Sequence, residues 1–199
     1  MKILAFDTET TGIARGADYT HPDNPHLAAI TGILYDTEAK RVEQSINMAI
    51  RPDGWVMPAE AGAVNGLTTE YLNDNGILLN SVLPLFIKLA FLSDLLVAHN
   101  VAFDKKIISS ALWRYGISEG EEETYIHDLI LEWQNHPHYC TMESAKPIVK
   151  ALNKAGRLKY PKLSETYEHF FKRPLDNAHS ANADTIAVLE IYTALTNGE

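Results

Sequence analysis

Two acidic residues near the start of the chain, Asp7 and Glu9, have the spacing of a possible metal site. They follow an apolar run at residues 3–6 and precede Gly12, a pattern that predicts a buried strand ending at a turn. Side chains two residues apart on a strand point to the same face, so the two carboxylates would lie side by side. Adjacent carboxylates repel each other unless a cation lies between them, and their oxygens suit Mg²⁺ or Mn²⁺. The sequence therefore predicts a divalent-cation site here.

Two further carboxylates could contribute to the same site. Asp104 follows His99 by five residues in the first turn of a predicted helix, and Asp184 follows His179 by the same spacing. Taken alone, Asp104 is better explained by the favourable interaction of an acid with a helix N-terminus, and the spacing of His179 and Asp184 is uninformative. Because the spacing is the same in both segments, it does not indicate which histidine would take part in chemistry.

The order of these motifs along the chain is more informative than any one of them. Asp-x-Glu, then His-Asn-x-x-Phe-Asp, then His-x-x-x-x-Asp resembles the DEDDh branch of the DnaQ-like 3′→5′ exonucleases, over residues 3–195. The resemblance implies an α/β, ribonuclease H-like fold whose five-stranded mixed sheet has helices on both faces. It also implies a single exonuclease domain over residues 1–199.

The same resemblance implies a catalytic centre with two divalent metal ions, Mg²⁺ or Mn²⁺. The expected metal ligands are Asp7, Glu9, Asp104 and Asp184. His179 would be the general base that removes a proton from the attacking water, since a histidine titrates near neutral pH. Two metal ions can stabilise both the attacking and the leaving oxygen, and the product would be a nucleoside 5′-monophosphate.

The resemblance also implies contacts with the 3′-terminal nucleotide. Backbone amides around Glu9 and Thr10 would bind the terminal hydroxyl, Ile13 would separate the last bases, and Glu60 would contact the sugar. Phe103 would stack on the terminal base, a contact worth about 1–3 kcal/mol, or would instead be a core residue. The expected substrate-binding residues are Thr8, Thr10, Ile13, Glu60, Asn65, His99 and Phe103. Related sequences usually have histidine where this chain has Asn65, so a different contact is expected there.

The hydrophobic pattern places these residues on an α/β framework. Strands are predicted at residues 3–6, 28–35, 44–50 and 95–98. Helices are predicted at residues 58–64, 68–73, 81–92, 101–115, 142–154, 163–171 and 178–195. Ser81 is expected to cap a helix and Gly116 to end one, while the acidic residues 119–123 are expected to form an exposed turn. Strands followed by helices around a further strand favour a mixed sheet.

Composition excludes several other classes of protein. The chain has 199 residues, 46% hydrophobic and 22% charged, and one cysteine, which leaves no internal disulfide and no multi-thiolate zinc site. No apolar stretch has the length of a membrane span, and the N-terminus lacks the apolar core of a signal peptide. We therefore expect a cytoplasmic protein without membrane association.

The positive charge is concentrated in one segment although the net charge is −9. The basic residues of this segment are Lys146, Lys150, Lys154, Arg157, Lys159, Lys162, Lys172 and Arg173. On the predicted helix, the first three would form one stripe because they are four residues apart. Such a stripe is typical either of a solvated helix face or of an edge that follows a phosphate backbone.

Three functions remain open from the sequence. A deoxyribonuclease would trim single-stranded or mismatched DNA 3′ ends in proofreading or repair, and the motif Thr-Glu-Thr-Thr-Gly resembles the proofreading group. An exoribonuclease would use the same chemistry and could differ by one contact with the 2′-hydroxyl. A non-catalytic scaffold would be expected to lack a carboxylate, and all four are present. Possible protein partners are a DNA polymerase, contacted through the folded surface because the chain ends soon after its last helix, or a second copy.

Overall fold

The computed structural model describes residues 1–14, 16, 18–176 and 181–197. In this part of the chain five strands form one mixed sheet in the order β3-β2-β1-β4-β5. The strands are β1 (Lys2–Thr10), β2 (Leu27–Asp36), β3 (Arg41–Ala49), β4 (Leu95–Ala98) and β5 (His138–Cys140). The first three are antiparallel neighbours, while β4 is parallel to both β1 and β5. The predicted five-stranded mixed sheet is confirmed.

The helices lie on both faces of this sheet. They are α1 (Ala59–Asn65), α2 (Thr69–Asn75), α3 (Leu79–Phe91), α4 (Val101–Glu119), α5 (Glu123–Asn135), α6 (Thr141–Val149), α7 (Leu163–Phe171) and α8 (Ala181–Asn197). None of the helices in the described part of the chain combines the length and apolar character needed to cross a bilayer.

The central strand β1 is buried on both faces, which explains its nearly continuous apolar sequence. Leu4 and Phe6 pack into the larger core with α3, α4 and α5, whereas Ile3 and Ala5 pack against α8. The ring of Phe6 lies 5.9 Å from that of Trp133, whose indole nitrogen donates to the Lys105 carbonyl at 3.0 Å. Alternation along β1 therefore fixes which helix each following side chain faces.

The structure corrects two predicted helix ends near the acidic run. Helix α4 continues through Gly116 to Glu119, and Gly120 ends it in the left-handed conformation, with φ of 75°. Gly116 is instead a packing residue, since a Cβ there would overlap Ile126 of α5. The predicted exposed turn at residues 119–123 is confirmed for residues 120–122, which join α4 to α5, whereas Glu119 and Glu123 are exposed helix ends. Ser81 does not cap α3, because that helix begins two residues earlier, at Leu79.

Two elements were not predicted from the sequence, α5 and β5. Strand β5 has only three residues, too few for an alternating pattern to be visible. Helix α6 is shorter than predicted, because Lys150 adopts the left-handed conformation and ends it after Val149. The expected helical stripe of Lys146, Lys150 and Lys154 is therefore wrong.

Candidate active site

Strand β1 places two acids of the predicted site on one face. The strand extends to Thr10, so Asp7 and Glu9 lie on the strand itself rather than after it. Both have odd numbers, like Ile3 and Ala5, and therefore face α8. The register Ala5↔Val97 puts Asp7 level with His99, just beyond the end of β4 at Ala98. The acids thus emerge at the sheet edge where ligands commonly bind in α/β proteins.

A third carboxylate reaches these two from the other end of the sequence. Asp184 lies in the first turn of α8 and is 8% exposed. Asp7, Glu9 and Asp184 each provide an oxygen, and the three oxygens lie within 4.8 Å of one another. Three carboxylate oxygens at this separation match the ligands preferred by Mg²⁺ or Mn²⁺. The structure therefore brings together three of the four predicted metal ligands.

The fourth predicted ligand, Asp104, lies beside this group and not within it. It is 3% exposed in the first turn of α4, and the Thr8 hydroxyl donates a hydrogen bond to its Oδ1 at 2.6 Å. Thr8 points to the opposite face of β1 from its two acidic neighbours, toward α4. The family resemblance implied that Thr8 contacts the substrate, whereas its hydroxyl here orients the carboxylate of Asp104. A threonine between two acids carries no pattern that would have indicated this.

The electrostatics of the site favour a bound cation. Burial, followed by the charges of Asp104, Glu9 and Asp184, raises the pKa of Asp7 well above its usual range. Burial and the neighbouring carboxylates raise the pKa of Glu9 to about 8, and burial raises the pKa of Asp104 to about 7 despite the hydrogen bond from Thr8. Asp7, Glu9 and Asp104 form no ion pair with any described residue. The donor set therefore fits divalent cations, which would compensate this negative charge.

The end of β1 is held by side chains predicted to bind substrate. The Thr10 hydroxyl donates to the Gly12 carbonyl at 2.5 Å, and the Thr10 carbonyl accepts from the Asn65 amide at 3.2 Å. Asn65 is buried and also accepts from the Leu67 amide at 3.1 Å. Asn65 thus connects the end of α1 to the end of β1. It lines, with Glu9, a cleft of about 230 Å³ beside the acids.

Three predicted substrate contacts differ in their surroundings. Ile13 is 83% exposed beyond the end of β1, as expected for a side chain that inserts between bases, and Glu60 is exposed in the first turn of α1. Phe103 is only partly exposed and packs against the larger core, which favours the alternative core interpretation for much of its ring.

Of the two histidines that precede Asp104 and Asp184, only His99 lies among the described residues. His99 has both ring nitrogens at 3.0 Å from protein oxygens, the Thr141 hydroxyl and the Pro161 carbonyl. Burial lowers its pKa, so the ring is neutral and joins the segment around residue 161 to the sheet edge. His179, the expected general base, lies outside the described residues, and its role stays a prediction.

Comparisons with known proteins identify the family and the fold of this chain. A family model described as exonuclease matches residues 4–192. Among solved structures, a structure of exonuclease I that suggests how processivity is achieved superposes with a TM-score of 0.73 at 18% sequence identity. The superposition covers 100% of this chain and 41% of that chain. Escherichia coli exonuclease I in complex with a dT13 oligonucleotide gives a TM-score of 0.71 at 19% identity, covering 98% of this chain and 40% of that chain. A product-bound exonuclease I superposes with a TM-score of 0.71 at 17% sequence identity, covering 98% of this chain and 43% of that chain.

These structures share the fold of this chain, which spans about two fifths of their length. A comparison of the sequence with curated proteins gives no significant match.

Proposed function

The chain belongs to the exonuclease family, and on that basis we propose that it is a metal-dependent 3′→5′ exonuclease acting on single-stranded or mismatched DNA 3′ ends. The observation that carries the proposal is the meeting of Asp7, Glu9 and Asp184, which lie at opposite ends of the sequence. Burying like charges is unfavourable, so a fold that does so needs a compensating cation. A non-catalytic scaffold would be expected to lack one of the four carboxylates, and all four are present.

In the proposed mechanism, the four acids would hold two divalent cations, Mg²⁺ or Mn²⁺. Asp7, Glu9 and Asp184 would bind one, and Asp7, with Asp104 acting through water, would hold or orient the other. The bound cations would supply Lewis acidity at the scissile phosphate and lower the pKa of the attacking water. Thr8 would keep the Asp104 carboxylate in position through its hydrogen bond.

The remaining steps belong to the substrate and to the general base. His179 would accept the proton of the attacking water at a ring nitrogen. The water oxygen would bond to phosphorus, the bond between phosphorus and the 3′-oxygen of the preceding nucleotide would break, and that 3′-oxygen would take up a proton from solvent. The products would be a nucleoside 5′-monophosphate and a strand one nucleotide shorter. Exposed Ile13 would separate the terminal base from its neighbour.

A DNA substrate is favoured over RNA by the first motif and by the structural relatives. Exonuclease I structures contain dT13 and dA16 oligonucleotides, which are single-stranded DNA. Proofreading or repair would supply such ends, with a DNA polymerase or a second copy of the chain as possible partners.

The proposal is tested with 5′-labelled DNA and RNA oligonucleotides of identical sequence, incubated with MgCl₂, MnCl₂ or EDTA. We expect DNA to shorten from the 3′ end in single-nucleotide steps with either metal, and to stay intact in EDTA. Asp7→Asn should abolish shortening, whereas Asp128→Asn, the same change at an exposed position of α5, should not. Full activity of Asp7→Asn would refute the site, and faster digestion of RNA would assign the ribonuclease alternative.

A further inference from the structure

The most cationic part of the chain lies in the segment that joins α6 to α7 and in its flanks. Residues 146–173 contain 8 of the 17 lysines and arginines but only 2 of the 26 acidic residues. The rest of the chain is therefore strongly acidic. A polyanion approaching this protein would be repelled by most of its surface and attracted here.

Residues 150–160 of this segment, called here the basic hairpin, have a defined structure of their own. Leu152 and Leu158 pair as an antiparallel bridge, and the Lys159 amide donates to the Ala151 carbonyl at 2.9 Å. At the turn, the Asn153 side chain accepts from the Arg157 amide at 3.0 Å, and from a second turn amide. Backbone hydrogen bonds and the Asn153 side chain therefore hold the hairpin, so its shape does not depend on the basic side chains.

The basic hairpin exposes apolar and cationic side chains together. Leu152 and Leu158 are 58% and 63% exposed, and Tyr160 is 49% exposed with the Lys146 ammonium 4.0 Å from its ring centre. The cations Lys150, Lys154 and Arg157 are exposed and form no ion pair with a described residue. Two leucines and a tyrosine thus lie within the same short segment as these cations. Cations beside apolar and aromatic groups suit single-stranded nucleic acid, whose phosphates and bases are both accessible.

The base of the hairpin lies close to the carboxylates. His99 is level with Asp7 on the neighbouring strand, and its ring contacts the Pro161 carbonyl at 3.0 Å. Pro161 directly follows Tyr160, and the ion pair between Lys159 and Glu165 at 2.6 Å ties the hairpin to α7. One inter-strand spacing of about 4.8 Å separates the backbones of Asp7 and His99, and the His99 side chain spans the further distance to Pro161, so the base of the hairpin lies on the order of 10 Å from the acids. A strand with its last phosphate at the acids therefore passes the hairpin within a few nucleotides.

We propose that the basic hairpin is a second binding site, which contacts the single strand upstream of the scissile phosphate. Lys150, Lys154 and Arg157 bind phosphates, while Leu152 and Tyr160 contact bases. The inference rests on the proposed exonuclease function for the direction in which the strand runs. It predicts that long substrates bind more tightly than short ones, because only long substrates reach the hairpin.

The first experiment removes two phosphate contacts with the variant Lys154→Ala/Arg157→Ala. Lys150 is left unchanged because it ends α6 in the left-handed conformation. Binding of fluorescein-labelled dT20 is measured by anisotropy in Ca²⁺ at several salt concentrations. Each contact contributes about 0.7 to the salt slope, so we expect the slope to fall by about 1.4 and the affinity to fall about 25-fold at 0.1 M salt. The matched control, Arg41→Ala/Lys88→Ala, removes one exposed arginine and one exposed lysine elsewhere and should leave both the salt slope and the affinity unchanged.

The second experiment separates the hairpin from the catalytic site. Hydrolysis of the p-nitrophenyl ester of thymidine 5′-monophosphate, which is too short to reach the hairpin, should be the same in the hairpin variant and the wild type. Tyr160→Ala should weaken dT20 binding about tenfold, and Tyr160→Phe should restore it, since the ring makes the contact.

Unchanged dT20 binding in the hairpin variant, or an equal loss on the short ester, would overturn the inference; in the first case the surface would bind another partner. If the wild type bound dT20 through the hairpin but hydrolysed neither substrate, the proposed function would fail and the binding site would stand. All variants are first required to match the wild-type melting temperature.

Discussion

Replacing Asp7 by asparagine should abolish the proposed activity and also stabilise the metal-free protein. Burial and three neighbouring carboxyl groups raise the pKa of Asp7 well above its usual range. The folded protein therefore binds a proton at Asp7 that the unfolded chain releases above about pH 4. A raised pKa in the folded state means that stability is lost as pH increases from the unfolded value toward the folded one. An asparagine side chain does not titrate, so the substitution removes the contribution of residue 7 to the loss of stability with increasing pH.

The size of the effect follows from the pH interval. Each pH unit between the two pKa values costs at most about 1.36 kcal/mol, so the interval from pH 5 to pH 8 costs at most about 4 kcal/mol. Neighbouring carboxyl groups titrate in the same interval, since the pKa of Glu9 is about 8 and that of Asp104 about 7, so part of the cost remains. We expect asparagine to gain about 1–3 kcal/mol at pH 8, or roughly 3–9 °C in melting temperature, and little at pH 5.

The assay is thermal unfolding in EDTA at pH 5, 6, 7 and 8, followed at pH 8 by titration with MnCl₂. The wild type should lose stability as pH increases and regain it with manganese, whereas Asp7→Asn should lose less stability and regain little with manganese. Asp128→Asn controls for the chemical change at an exposed position. A gain that is equal at pH 5 and pH 8, or a destabilised Asp7→Asn protein at pH 8, would refute the reasoning.

Three other predictions concern the same site and its support. Because protons compete for Glu9 and Asp104, manganese affinity measured by calorimetry should fall from pH 8 to 6 by up to about tenfold per pH unit for each carboxyl group that must release its proton; a constant affinity would contradict the raised pKa values. Thr8→Val should lower metal affinity or turnover about 10–100-fold and move the acidic limb of the pH profile to higher pH, while Thr8→Ser should retain both. Gly116→Ala should reduce the free energy of unfolding by roughly 1–3 kcal/mol, measured by urea titration, through overlap with Ile126; an unchanged midpoint would show that α5 can move away.

The fold was predictable where the local pattern was long enough to be distinctive. The apolar residues of β1, β2 and β4, and the periodicity of α7, gave elements close to those observed. The three-residue β5 could not be predicted because it is too short to show an alternating pattern. The extension of α4 past Gly116 could not be predicted because packing against Ile126 decides whether that glycine ends the helix or allows a close approach of α5.

The candidate site was only partly predictable for a related reason. The spacing of Asp7 and Glu9 indicated one face of a strand, and the order of the motifs indicated the family, now supported by the family model. The spacing could not show that Thr8 donates to Asp104 or that Asn65 supports the end of β1, because these partners are distant in sequence. It also predicted a helical stripe of lysines, where the chain forms a hairpin.

The sequence by itself determined which chemical groups are available, since residue types and period-two alternation along a strand are local properties. Only the tertiary structure decided that a carboxylate oxygen of Asp184 lies within 4.8 Å of oxygens of the two β1 acids. The same is true of the contact between the His99 ring and the Pro161 carbonyl, at the base of the basic hairpin. Such convergence depends on sheet register and on helix packing across the whole chain. The pKa values of the acids follow from that convergence, because burial and mutual repulsion exist only once the chain has folded.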